Sequence, residues 1–283
     1  MEASKVGIIG AGTMGSGIAQ ALAISGIDVV LSDVAKAQLE RATQGVASSL
    51  DRLVKKEKLT AEQKTQALAR IRTSAELAAL KDCPLVIEAA TENLDLKLKI
   101  FAQLDTMLPS ASVIATNTSS ISITRLAGAT KRPGKVVGMH FFNPVPVMAL
   151  VELIRALQTS DETYAVAEAL ARKIGKTPVQ VRNSPGFVVN RLLCPMINEA
   201  VFALAEGLAS AEQIDQAMKL GANHPIGPLA LADLIGLDVQ LAVMQVLYEG
   251  FKDSKYRPAP LLVEMVEAGY LGRKTKRGFF RYD

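Results

Sequence analysis

The chain has 283 residues, 49% hydrophobic and 21% charged, a balance that excludes intrinsic disorder and supplies core for one large domain or two smaller ones. No run of eighteen apolar residues occurs, so no membrane span is expected, and two cysteines with two histidines exclude a disulfide framework or a zinc cluster. A net charge of +4 with a pI near 9.0 is too small and scattered for nucleic acid, which needs a clustered basic face; it suits a small anionic ligand.

Strand-like sequence begins by Lys5, with no feature of a secretory or transit leader, so a soluble, cytoplasmic protein is expected. In the first half, short β-branched runs alternate with helical patterns. Lys5–Ile9, Asp28–Leu31, Leu85–Glu88, Val113–Ala115 and Val136–Met139 predict buried strands. Met14–Ser25, Lys36–Lys56, Ala61–Ala69 and Leu94–Met107 between them carry helical spacing. Leu150–Ile154 and Pro178–Val181 predict two more strands. Between these lies the helix Glu162–Ile174, capped by Thr159 or Ser160 and stopped at Gly175. Such alternation predicts a doubly wound, mostly parallel α/β sheet with helices on both faces, and the helix pair over 36–69 is an insertion in it. Beyond the turn cluster Asn183-Ser184-Pro185-Gly186 every pattern is helical: Phe187–Glu206, Ala211–Leu220, Leu229–Ile235, Val239–Phe251 and Leu261–Glu267. Two domains are therefore expected, a dinucleotide-binding Rossmann domain over 1–183 and an all-helical domain over 184–283.

Gly10-Ala11-Gly12-Thr13-Met14-Gly15 is a G-x-G-x-x-G between a buried strand and a helix. Gly10 permits the tight turn, Gly12 lets backbone approach a pyrophosphate, and Gly15 permits close helix–strand packing. The helix N-terminus, with Thr13 and Met14, offers N–H groups to the anion. Asp33 ends the next strand, where a carboxylate accepts ribose hydroxyls and repels a 2′-phosphate; NAD is expected over NADP.

His140 follows the strand Val136–Met139 at the carboxyl end of the sheet, where ligands bind in such folds. A lone histidine after a strand is more often structural, but imidazole exchanges protons near neutrality. Glu152 on the neighbouring strand is placed to fix its tautomer and stabilise its cation. The other histidine, His224, precedes Pro225 and reads as a loop residue.

The glycine turn, Asn117-Thr118-Ser119-Ser120, the block His140–Pro146 with Glu152, and Ser184–Arg191 together resemble the short-chain L-3-hydroxyacyl-CoA dehydrogenases. Pro225–Pro228, Ala232–Asp238 and Lys274-Thr275 extend the match through the helical half. In size and lead-in the chain is similar to the bacterial single-function 3-hydroxybutyryl-CoA dehydrogenases. The resemblance implies an NAD-dependent enzyme interconverting 3-hydroxyacyl-CoA and acetoacetyl-CoA-type 3-oxoacyl thioesters. His140 matches the family's catalytic base and Glu152 its partner, with Ser119 and Asn190 around the reacting oxygen. Glu92 and Lys97 match cofactor contacts on the ribose and nicotinamide side, and Asn143 lines the nicotinamide pocket. Lys274 lies in a C-terminal segment that reaches the cofactor. Ser49 and Lys56 match coenzyme A contacts, so the basic run Arg52, Lys55, Lys56 and Lys58 faces an anion rather than serving only as a solvated helix face.

For Ser119 a helix N-cap before Ile121–Leu126 is an alternative or additional role. A related dehydrogenase of a free hydroxy acid would share sheet and glycines but has no need of the Ser49–Lys56 insertion. A non-enzymatic nucleotide sensor would have no need of His140, Glu152, Ser119 and Asn190. The long apolar faces over Leu229–Ile235 and Leu241–Leu247 predict a homodimer through the helical domain, which also closes the substrate cleft.

Overall fold

Eight strands between residues 5 and 182 form one sheet, in a computed structural model that describes residues 4–283. They are β1 (Lys5–Ile9), β2 (Asp28–Ser32), β3 (Ile71–Ser74), β4 (Leu85–Glu88), β5 (Val113–Thr116), β6 (Val136–Phe141), β7 (Leu150–Arg155) and β8 (Thr177–Arg182). Their spatial order is β3-β2-β1-β4-β5-β6-β7-β8. Every neighbouring pair is parallel except β6 and β7. The reversal of winding between β1 and β4 is the topological switch at which such sheets bind ligands. The sheet residues Val6, Ile8, Leu31, Ile87, Val137 and Leu153 are buried in one core. Against them pack Ile18 and Leu22 of α1 (Thr13–Ile24) and Leu170 of α6 (Asp161–Lys173).

The predicted order of elements agrees with the structure, with local differences. β3 has no strand signal in the sequence, because Ile71-Arg72-Thr73-Ser74 is short and polar in three of its four residues; it pairs only with β2, at the edge of the sheet. The insertion comprises α2 (Lys36–Lys55) and α3 (Ala61–Ala69), the latter started by a capping box between Thr60 and Gln63. α4 (Leu94–Met107) starts at Asn93, whose side chain accepts from the Leu96 N–H. Of the two caps considered for α6, Ser160 is the one, accepting from the Thr163 N–H. The Thr159 hydroxyl instead joins the Ala156 N–H to the Val136 carbonyl. α5 (Ile123–Ala127) starts later than the alternative reading of Ser119 required. Ser122 caps it, and the Ile123 N–H donates to Asn183 Oδ1.

Chain contacts divide the molecule after Asn183. The second unit, Ser184–Asp283, contains α7 (Val189–Ala205), α8 (Ala211–Gly221), α9 (Pro228–Ile235), α10 (Leu237–Phe251) and α11 (Pro260–Glu267). Ile197, Val201, Leu229, Leu237, Leu241 and Leu262 form its core. Two buried aspartates fasten it. Asp215 accepts from the Leu229 and Ala230 N–H groups at the start of α9. Asp233 accepts from the N–H groups of Phe279 and Phe280 and from the Tyr282 hydroxyl. Burial and the Asp233 charge push the Tyr282 phenol up to about 12. Among the described residues no single helix is long and apolar enough to cross a membrane.

Candidate active site

The glycine turn is closed on two sides and open on the third. Gly10 has φ +95, a left-handed conformation, and a Cβ there would lie 2.5 Å from the Ala89 carbonyl oxygen. A Cβ on Gly15 would lie 1.8 Å from the Gly10 carbonyl oxygen, whereas one on Gly12 would meet nothing within 4 Å. That open side leads into α1, whose N-cap is Gly12 with no side-chain cap, so the first-turn N–H groups of Thr13 and Met14 are presented to an anion. Asp33 is half-buried beside the turn. Its Oδ2 accepts from the Ala11 N–H at 2.8 Å and its Oδ1 from the Ala35 N–H at 2.9 Å. The carboxylate is thereby held at the end of β2, in the place for ribose hydroxyls. The residues present fit a dinucleotide.

β6 runs two residues beyond its predicted end, so His140 lies inside the strand rather than after it. The antiparallel register sets His140 directly opposite Glu152. Glu152 Oε2 lies 2.7 Å from His140 Nδ1, with the two side chains 1% and 7% exposed. The Phe142 ring packs on the imidazole at 4.5 Å between centroids. Asn117 ties this strand to its neighbour, accepting from the Phe141 N–H and donating its own N–H to the Glu88 carbonyl. The loop after β6 carries the exposed Asn143. It is pinned where the Lys176 ammonium donates to the Val145 and Met148 carbonyls. Burial pushes that ammonium below the usual lysine range.

The loops after β4 and β5 are joined by a charged network. Glu88 is fully buried and accepts from Lys97 Nζ (2.6 Å), the Ala90 N–H (2.6 Å) and the Thr116 hydroxyl (2.7 Å). Lys97 is 1% exposed; it also donates to the Ala90 carbonyl and lies 3.4 Å from Glu92 Oε2. Glu92 Oε1 accepts from the Thr118 and Ser120 hydroxyls and from the Ser119 and Ser120 N–H groups. Burial pushes the Glu92 carboxyl up, but the Lys97 ammonium and the hydrogen bonds from Thr118, Ser120 and Ser119 outweigh it. The group lies below the usual glutamate range.

The first unit thus brings together the glycine turn, Asp33, Glu92, Lys97, Ser119 and the His140–Glu152 pair at the carboxyl ends of the strands. Lys97 stands beneath that surface, with its charge turned to Glu88 and Glu92. Ser49 and Lys56 lie seven residues apart, two turns of α2, and so share a face; Ser49 is half-buried and Lys56 is the exposed C-cap. In the second unit Asn190 occupies the first turn of α7. There Lys274 is paired with Asp238, both oxygens at 2.6 Å. No role is read from the sequence for Glu88, Asn117, Thr118 or Phe142, although the last three stand within motifs that the sequence singles out. Glu88 and Lys97 did carry a signal: a glutamate ends the apolar run Leu85-Val86-Ile87, and Lys97 falls on the buried stripe of Ile100, Phe101 and Leu104.

Residues 5–184 match the family model for the NAD-binding domain of 3-hydroxyacyl-CoA dehydrogenase, and residues 186–282 match that for its C-terminal domain. A 3-hydroxybutyryl-CoA dehydrogenase of Bradyrhizobium diazoefficiens is 54% identical over 98% of this chain and 95% of its own length. One of Clostridioides difficile is 51% identical over 99% of each. Among solved structures, the (S)-3-hydroxybutyryl-CoA dehydrogenase PaaH1 of Ralstonia eutropha superposes with a TM-score of 0.97 at 63% identity, over the whole of both chains.

Proposed function

The chain belongs to the 3-hydroxyacyl-CoA dehydrogenase family and is an NAD-dependent oxidoreductase, and from that premise we infer that it interconverts short-chain (S)-3-hydroxyacyl-CoA, such as 3-hydroxybutyryl-CoA, with the 3-oxoacyl-CoA. The observation that carries the chemistry is the buried His140–Glu152 pair at the carboxyl end of β6.

In the oxidising direction His140 removes the proton of the 3-hydroxyl. Nδ1 is engaged by Glu152, so Nε2 is the nitrogen assigned to that transfer. Glu152 holds the ring's orientation and stabilises the imidazolium that forms. Ser119 and Asn190 are assigned to the reacting oxygen. The nicotinamide of NAD supplies the hydride acceptor. Gly10, Gly12 and Gly15 with the α1 N-terminus bind the pyrophosphate, and Asp33 binds the ribose and turns away a 2′-phosphate. Ser49 and Lys56 take the coenzyme A nucleotide. In reverse, the protonated His140 returns its proton to the ketone oxygen.

A homodimer through the second unit belongs to this reading. Of the apolar residues that suggested it, Leu229, Leu241, Met244 and Leu247 are buried within the unit. Leu234, from the same stretch, is exposed, and further support comes from Leu192, Leu208, Leu220 and Val239, all exposed on a single copy.

The test is to incubate acetoacetyl-CoA with NADH and determine the product's configuration, with His140→Ala in parallel. The (S)-alcohol thioester from the unaltered protein, and a His140→Ala protein that binds NADH without turning over, is the expected pair of results. The (R)-product, or near-normal turnover without His140, overturns the assignment.

A further inference from the structure

Glu88, Lys97 and Glu92 amount to two carboxylates against one ammonium. Their arrangement leaves one negative charge in excess if all three are ionised. Lys97 is shared, closer to Glu88 (2.6 Å) than to Glu92 (3.4 Å). Glu88 is fully buried and Glu92 is 37% exposed, so the excess charge reaches the surface at Glu92. The donors on Glu92 Oε1 are the hydroxyls of Thr118 and Ser120 and two backbone N–H groups, all neutral. An amide oxygen would accept from the same donors, so ordering the loop does not by itself call for a charge.

The sheet order says which part of a dinucleotide faces that charge. β1 and β2 bring the glycine turn and Asp33, which take the pyrophosphate and the ribose of the adenosine half. The other half of the cofactor crosses the switch point to the side of β4 and β5, whose loops carry Glu92 and Ser119. The oxidised nicotinamide ring is a cation and the reduced ring is neutral, while the rest of the molecule is the same in both forms. A fixed negative charge on this side therefore acts on one redox form and not on the other.

We propose that the Glu88–Lys97–Glu92 cluster sets the relative affinity for the two redox forms, its excess negative charge favouring the oxidised nicotinamide; this rests on the NAD-binding reading above. Lys97 is then a positioning residue, which holds Glu92 and neutralises Glu88 from below.

The experiment is calorimetric or fluorescence titration of the whole protein with NADH and, by competition, with NAD⁺, giving the ratio of the two dissociation constants. Glu92→Gln keeps an acceptor for the loop and removes the charge. It is expected to weaken NAD⁺ relative to NADH by about fivefold, a moderate charge–charge effect at a solvated site. Glu88→Gln, fully buried and out of reach of any ligand, should move the ratio the same way by about twofold through the field alone. Asp33→Asn, at the adenosine end, should weaken both forms alike. A purely structural role would also weaken both forms alike in the two glutamine variants, and an unchanged ratio there overturns the proposal. Should Glu88→Gln not fold, Glu92→Gln decides by itself. Failure of the unaltered protein to bind either form overturns instead the reading on which the proposal rests.

Discussion

Glu152→Gln preserves the shape of the side chain and removes its charge. Glu152 Oε2 and His140 Nδ1 are 2.7 Å apart and both groups are buried, so little water competes for the pair. With charge centres roughly 4 Å apart and an effective dielectric of about 20, the carboxylate stabilises an imidazolium by about 4 kcal/mol. The amide dipole restores a part of this, and the amide also permits the wrong imidazole tautomer. Taking about 3–4 kcal/mol as lost, at 1.36 kcal/mol per factor of ten, kcat falls by roughly 10²–10³. The assay is the rate of NAD⁺ reduction at saturating 3-hydroxybutyryl-CoA, the direction in which the imidazolium forms, with NADH affinity and melting temperature measured on the same preparation. The affinity should be nearly unchanged, because none of the assigned cofactor contacts lies on β7, the strand that carries Glu152. His140→Ala should be slower still, since it removes the group that moves the proton. A folded Glu152→Gln protein with kcat within about threefold of normal would refute the reasoning.

Asp33→Ala should reduce the preference for NADH over NADPH by at least about tenfold, the loss of one charged hydrogen bond; equal kcat/KM ratios before and after would move ribose recognition elsewhere. Lys56→Ala should raise KM for acetoacetyl-CoA several-fold and leave KM for NADH alone, because coenzyme A phosphates are remote from the reacting carbon; equal effects on both would contradict the assignment. The Glu92 carboxyl is depressed in the folded protein, so its stabilisation is present above the ordinary glutamate value of about 4.3 and lost as pH falls through the lower folded value. Melting temperatures of the unaltered and Glu92→Gln proteins should accordingly differ at neutral pH and converge in acid; a gap that widens in acid would contradict this. Light scattering should give twice the 30.2 kDa chain mass, and a monomer at micromolar concentration excludes the dimer.

The parallel strands and their helices were legible because buried strands are apolar throughout and helices carry a period near 3.6. β3 was not, since it pairs on one side only and three of its four residues are polar. The glycine turn could be read because Gly10 and Gly15 answer steric demands of the backbone and Gly12 leaves its side open to an approaching pyrophosphate. The His140–Glu152 pair was legible as two residue types on neighbouring strands. Their direct opposition, however, depends on the antiparallel register of β6 with β7, and no local pattern announces that. The Glu88–Lys97 pair left its mark only as charges in apolar positions; Thr116, which donates to Glu88, and Thr118, which donates to Glu92, come from a separate strand and the loop after it, which pairing alone brings near.

The central claim, a dehydrogenase of acyl-CoA thioesters, is tested most directly by following NADH oxidation with acetoacetyl-CoA and, under the same conditions, with free acetoacetate. The coenzyme A contacts assigned to Ser49 and Lys56 predict rapid turnover of the thioester and little or none of the free acid. Comparable rates on the two, or turnover of the free acid alone, would contradict the account.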